Sequence, residues 1–287
     1  MDSSDRSLCS RSETERHYRS AVERVIDAMH QHLDEDFSLE DMAEVAIMSP
    51  FHLNRVFRQL TGVPPCRFLT ALRLEAAKRL LLTSGLSVTN TSLEVGYNSL
   101  GTFTRRFTEL VGVSPGRFRR LAKSGARSAL ESLRRGAETA RFSSPAKPSV
   151  SGQVEAPEGF SGPIFVGLFT TAVPQSRPLA CTVLTHPGAF RLSPVADGWY
   201  YLVTAGMPWS LDPRDYLLYE KAMRAGVVGH PMRIENGVAE KPSVLRLRPS
   251  ELTDPPILMT LPLLLSEKLA PAATAEADAV AEVAQGN

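Results

Sequence analysis

The 287-residue sequence predicts a multidomain molecule, in which an all-α unit built from one motif used twice precedes a mostly-β, sandwich-like domain with one helix. Three observations carry this. A gapless internal repeat with an offset of fifty residues joins Ser49–Phe68 to Ser99–Phe118. A Ser/Pro/Gly-rich stretch, Ser143–Gly162, then separates two regions of different patterning. From Pro163 to Leu265, short apolar runs recur between Pro, Gly and Asp residues, as strands do. With 43% hydrophobic and 22% charged residues, most of the chain has the composition to bury cores. The expected organisation is a disordered N-terminus (1–15), the helical unit (16–123), a helix and linker (124–162), the β domain (163–265) and a disordered acidic, Ala-rich tail (266–287).

Each element of the helical unit has its own signal. Ser38, with Asp41 three residues on, reads as a capping box for a short helix, Leu39–Ala46. Ser49 is an N-cap type and Pro50 suits the first helical position, where its missing N–H costs nothing. Leu53, Phe57 and Leu60 then fall on one helical face, and Gly62 stops the helix. Pro65–Thr83 reads as a helix of roughly 28 Å at 1.5 Å per residue. A second short helix is expected near Val88–Val95. After it Ser99, Phe103, Phe107, Leu110, Gly112 and Pro115 repeat the pattern, and nine of the twenty aligned positions are identical. A helix, a tight turn and a second helix with an Arg outside its apolar stripe (Arg55, Arg105) read as helix-turn-helix. The copies differ where they face outward: Phe51/Gly101, His52/Thr102 and Asn54/Thr104. Two readers about 28 Å apart come close to one turn of duplex DNA, ~34 Å.

Charge is divided along the chain. The net charge is +1, yet Glu44–Lys123 holds twelve Lys/Arg against four Asp/Glu, a local +8. The first 43 residues carry five against eleven, and the remainder fifteen against sixteen. A basic block in a neutral chain is an electrostatic footprint for a polyanion.

The segments HLNRVFRQLTGVPPCRFL, RLEAAKRLLLTSGLSV and LEVGYNSLGTFTRRFTELVGVSPGRFR together resemble the AraC/XylS family of bacterial transcription regulators, over about Ala21–Leu121. The resemblance implies seven helices, with two helix-turn-helix units joined by a long linker helix. It also implies double-stranded promoter DNA as partner, asymmetric sites, and control of RNA polymerase. By match to the motif, Phe51, Asn54 and Arg55 fall at base-contacting places in the first recognition helix, Pro50–Thr61. Arg can reach O6 and N7 of guanine, and Asn can pair with adenine. In the second unit the matching places are Leu100, Gly101, Thr104 and Arg105. Leucine and glycine cannot donate to base edges, so Thr104 and Arg105 are expected to do the reading there. His52, Arg58, Arg73, Lys78, Arg106, Arg119 and Arg120 are expected to neutralise phosphates, though each also reads as ordinary helix surface. Thr91-Ser92 departs from the family's aliphatic-alanine pair, and the sensor-first domain order usual in the family is reversed.

The second half yields less. Strands are expected at Ile164–Thr170, Ala180–Thr185, Ala189–Leu192, Trp199–Thr204, Ser243–Leu247 and Ile257–Leu263, with one helix at Asp212–Ala225. Both tryptophans and four of six tyrosines fall between Trp199 and Tyr219, and Trp199, Tyr201, Trp209 and Tyr216 are candidates for lining an effector pocket. The same cluster also reads as sandwich core. The three cysteines, Cys9, Cys66 and Cys181, are widely spaced and odd in number, which argues against a disulfide framework or a paired-cysteine zinc site. No catalytic residues, cofactor or metal ligands are expected. The N-terminus lacks the apolar core of a secretory signal, and the most apolar stretch, Ile257–Leu265, is too short to span a bilayer. The expectation is a cytoplasmic, nucleoid-associated regulator without a membrane partner and with a small-molecule effector. Two alternatives stay open: a DNA-binding domain carrying a catalytic module, or a β domain that only makes protein contacts.

Overall fold

The computed structural model describes residues 3–120, 149–193, 195–212, 214–226, 231–235, 238–239 and 243–260. The helix expected within Ala122–Ala140 and the tail from Ser266 lie outside them.

Among the described residues the N-terminal unit contains α1 (Ser3–Gln31), α2 (Leu39–Ala46), α3 (Pro50–Thr61), α4 (Pro65–Thr83), α5 (Val88–Glu94) and α6 (Leu100–Val111). Residues 115–120 are helical as well. Helix α1 begins at Ser3, within the segment expected to be disordered. The caps are those that the residue types dictate. Ser38 and Asp41 form the capping box, and Ser49, Ser87 and Ser99 each accept a hydrogen bond from the backbone N–H three residues on. Gly62 and Gly112 stop α3 and α6 with φ of 81° and 93°, a left-handed conformation that glycine adopts freely.

The repeat is visible in the core. Phe57 packs edge-on against Phe68, with ring centroids 5.4 Å apart at 82°. Their counterparts fifty residues on, Phe107 and Phe118, form the same pair at 5.6 Å and 72°. Such edge-to-face pairs contribute ~0.5–1.5 kcal/mol beyond burial. Thr91 and Ser92 are buried, yet both hydroxyls donate to carbonyls of their own helix, Ser87 O at 2.9 Å and Thr89 O at 2.7 Å. The polar pair therefore packs without an orphaned group. Gly96 has φ of 77°, and a Cβ there would lie 2.5 Å from the Leu33 carbonyl oxygen, so the second unit closes on the end of α1 only with glycine in place.

The C-terminal domain holds two sheets. One has the order β4-β1-β9, with β1 (Val150–Glu155) antiparallel to β4 (Gly188–Leu192) and parallel to β9 (Ser243–Arg246). The other runs β10-β6-β5-β2-β3, from β2 (Ile164–Phe169), β3 (Ala180–Leu184), β5 (Gly198–Gly206), β6 (Met223–Gly226) and β10 (Arg248–Pro249). The start of β5 also pairs with β7 (Met232–Glu235), which pairs with β8 (Val238–Ala239). Strand β2 is buried along its whole length. Ile164, Val166 and Leu168 face the core shared with the first sheet, among Val150, Val154, Phe190 and Leu245. Phe165 and Phe169 face the other way, into a layer with Tyr216, Tyr219, Ile257 and Met259. Period-2 alternation places the two sets on opposite faces.

Three expectations are corrected here. Strand β1 lies inside the stretch read as linker, because pairing with β4 and β9 outweighs its Ser/Gly content. The helix expected at Asp212–Ala225 is only one turn, Asp215–Leu218; Tyr219 has φ of 56° and ends it, and Met223–Gly226 instead pairs with β5. Residues 257–260 form no strand although all four are buried, and the rest of the expected Ile257–Leu263 run lies outside the described residues.

Candidate nucleic-acid interface

Helix α3 buries Leu53, Val56, Phe57 and Thr61 and turns Asn54, Arg55 and Arg58 outward. Phe51, at its first turn, is 83% exposed. Left uncovered, an aromatic ring of that size is suited to an apolar contact such as a thymine methyl. His52 is half-buried, with its ring edge-on to Tyr18 of α1 at 5.4 Å and its Nδ1 3.3 Å from Arg55 Nη2. A guanidinium only donates, so Nδ1 is the acceptor in this contact. His52 thus steers Arg55 and is itself braced by α1.

Helix α6 offers a sparser face. Phe103, Phe107 and Val111 are buried, Arg105 and Arg106 are exposed, and Thr104 is half-buried. Leu100 and Gly101 add no polar group, and a Cβ on Gly101 would meet nothing nearer than Ser99 Oγ at 3.8 Å.

The expected phosphate contacts divide. Arg58, Arg106 and Arg120 are exposed. Arg73 is a strut, with Nε and Nη2 donating to Leu33 O at 2.8 Å and Glu35 O at 2.5 Å. Arg119 does the same thing for the α4–α5 turn, donating to Leu81 O and Leu86 O. Lys78 is a correction: it is fully buried and cannot reach a phosphate in this arrangement.

A family model described as a helix-turn-helix domain matches residues 42–121. Residues 42–121 are an AraC-type helix-turn-helix domain. A "Haemophilus influenzae" protein named as an uncharacterized HTH-type transcriptional regulator is 40% identical over 93 residues, 32% of this chain and 31% of that relative. The HTH-type transcriptional activator AarP of Providencia stuartii is 29% identical over 100 residues, 35% of this chain and 74% of AarP. The solved DNA-binding domain of AdpA, in complex with a target DNA, is 33% identical with a TM-score of 0.35, covering 36% of this chain and 93% of that one. The chain spans about a third of the length of the Haemophilus relative.

Lys78 is buried because the β domain docks on the AraC-type domain. Its Nζ donates to Ile257 O at 3.0 Å and lies over two rings, 5.0 Å from the Tyr219 centroid and 5.9 Å from that of Phe118. Burial lowers its pKa from 10.5 to about 7, against the attraction of Glu75 on the same helix and with the repulsion of Arg224 on β6. Leu217, Leu258, Ala172 and Val173 of the β domain belong to the same buried cluster as the helices. Arg19 pairs with Glu251 at 3.3 Å and Arg79 with Glu220 at 3.1 Å. The last carbonyls of a helix have no partner within it. In α6 the β domain supplies three donors: Ser176 N to Leu110 O at 2.6 Å, Ser176 Oγ to Glu109 O, and Thr260 Oγ1 to Val111 O at 3.2 Å. The 253–260 segment is anchored through Asp254, which takes a two-pronged pair from Arg248 at 2.8 Å on each arm. Burial pushes the Asp254 carboxyl up, but those hydrogen bonds outweigh it and hold the pKa below the usual range.

The four aromatics proposed for a pocket occupy separate environments. Trp199 is 60% exposed, with the Arg233 guanidinium 5.9 Å from its ring centroid. Tyr201 packs against the helical core. Trp209 is half-buried, its backbone N–H on Ser161 O. Tyr216 is fully buried, its hydroxyl accepting from Ser210 N at 2.7 Å. Among the described residues no group of three or more His, Cys, Asp or Glu is placed to hold a metal, and no helix is long and apolar enough to cross a membrane. The docking residues themselves carry little signal in the sequence. Lys78 reads as one more cation of a basic block, and its aromatic partners lie 40 and 141 residues away.

Proposed function

We propose that this protein is a DNA-binding transcription regulator in which α3 and α6 enter successive major-groove segments of one duplex and the β domain modulates their placement. The observation that carries the reading is the repeated unit, which keeps its core pairs Phe57–Phe68 and Phe107–Phe118 while varying its outward residues. Phe51, Asn54 and Arg55 from α3, with Thr104 and Arg105 from α6, would touch base edges; Arg58, Arg106 and Arg120 would meet phosphates. Relatives named as transcriptional regulators or activators support the reading, and RNA polymerase is the expected protein partner. The β domain holds the linker helix α4 and the last turn of α6, which is what supports its modulating role.

The test is to select genomic fragments retained by the full-length protein at physiological salt against random competitor, and then to measure Arg55→Ala on a retained site. Losing one bidentate base pair costs ~1–3 kcal/mol of discrimination, roughly 5- to 150-fold on the specific site, with binding to random DNA spared. An equal loss on both DNAs removes Arg55 from base reading, and failure to retain any preferred fragment removes the sequence-specific reading.

A further inference from the structure

Along one edge of the domain interface runs a cleft of about 340 Å³. Its walls come from both domains: Arg67 and Thr70 on α4 and Arg106 and Leu110 on α6 on one side, Gln175 and Leu258 on the other. We infer that this cleft binds a small organic monoanion, a carboxylate on a short apolar body.

The volume sits at the small end of the range for ligand sites, ~300–1,000 Å³. Neither Arg67 nor Arg106 has an ion-pair or hydrogen-bond partner for its guanidinium among the described residues, whereas Arg19, Arg73, Arg79, Arg119, Arg224 and Arg248 each have one. A guanidinium presents a planar fork that fits a carboxylate with two parallel, charge-assisted hydrogen bonds. Both arginines line the cleft with Leu110, whose half-buried side chain supplies an apolar edge. Glu109 also lines the cleft and leaves the three charged residues at a net +1, which suits a monoanion and opposes a phosphate dianion. Arg67 is identical in the two repeat copies, as Arg117 in the second, yet only the first copy meets the β domain at this cleft. A bound carboxylate would tie α4, α6 and the β domain together and draw Arg106 toward the cleft. This deepens the proposed modulation through the β domain and takes its regulatory meaning from that reading, but the binding itself does not require DNA.

The experiment is saturation-transfer NMR on the full-length protein with hexanoate and 3-phenylpropionate at millimolar concentration, each against its neutral amide. Arg67→Gln and Arg106→Gln change exposed side chains and should fold. The control, Arg233→Gln, lies beside Trp199 and does not line the cleft. The expected result is binding of the acids, weakened at least about tenfold in the two cleft variants and in the amides, and unchanged in the control. Absence of binding by either acid, equal binding of acid and amide, or a loss in Arg233→Gln as large as in Arg67→Gln overturns the site. Adding the acid to the DNA-retention measurement separates the two readings: a site that binds the acid while DNA affinity stays the same keeps the cleft and removes its regulatory role.

Discussion

Lys78 sets a titratable group among the buried residues of α4, and its titration is the residue-scale signature of docking. The folded chain holds the proton less tightly than the unfolded one, because burial lowers the pKa from 10.5 to about 7. Between those values the unfolded state binds more protons, so stability should rise as pH is raised from about 7 toward 10, and below about 7 the full cost of the buried ammonium is present. Arg224, Glu75, Phe118 and Tyr219 surround the group in that same window. Lys78→Met keeps the length of the side chain and removes the charge. Urea melts at about pH 7 and 9 should show a flatter pH slope in the variant and a stability between unchanged and ~2 kcal/mol higher. A slope equal to that of the unaltered protein would mean that Lys78 is not buried in solution. At the same scale, His52→Ala should loosen Arg55 and weaken specific binding by less than Arg55→Ala does, measured on the same retained fragment.

Among the elements, the two glycines of the second unit separate space from conformation. Gly101 is the second residue of α6 and a Cβ there would meet only Ser99 Oγ at 3.8 Å, so Gly101→Ala should raise stability by up to ~0.5 kcal/mol through helix propensity. Gly96 combines a φ of 77° with a carbonyl 2.5 Å from the absent Cβ, and Gly96→Ala should destabilise by more than ~1 kcal/mol. Thermal melts of the pair check both signs. The local rules that place these glycines also made much of the helical unit legible. Leu39–Ala46, Pro50–Thr61 and Pro65–Thr83 have the bounds that their caps, prolines and stops dictate. What was not legible depends on distant partners. Val150–Glu155 is a strand because β4 and β9 flank it, and Met223–Gly226 leaves a helical pattern because β5 offers a ladder. Of the site, the outward faces of α3 and α6 could be read from the repeat, whereas the burial of Lys78 and the carbonyl contacts of Arg73 and Arg119 could not. Each of those three cations spends its charge on a carbonyl 33 or more residues away.

For the whole molecule, the shared buried cluster predicts that the two domains melt together. Both tryptophans lie in the β domain, so their fluorescence reports on it, while helical circular dichroism reports chiefly on the AraC-type domain. The two signals should coincide in the unaltered protein. Leu258→Asp places a carboxylate where Leu258 is fully buried, at a cost of several kcal/mol, on the order of 3–5. The signals should then separate; continued coincidence would mean that the interface contributes little. Freed of the β domain, the helical unit would also regain the charge of Arg19, Lys78 and Arg79. The salt dependence of DNA retention should steepen by about one unit of slope per recovered phosphate contact.

The parallel pairing of β1 with β9 has a consequence during synthesis. The first strand of the β domain has its second neighbour only when residues 243–246 have been made, and the segment that covers Lys78 follows later still. At roughly 5–20 residues per second, the AraC-type domain precedes its cover by roughly 10 s. During that interval the linker helix of a nascent chain displays Lys78 and Arg79 free of the partners that later engage them.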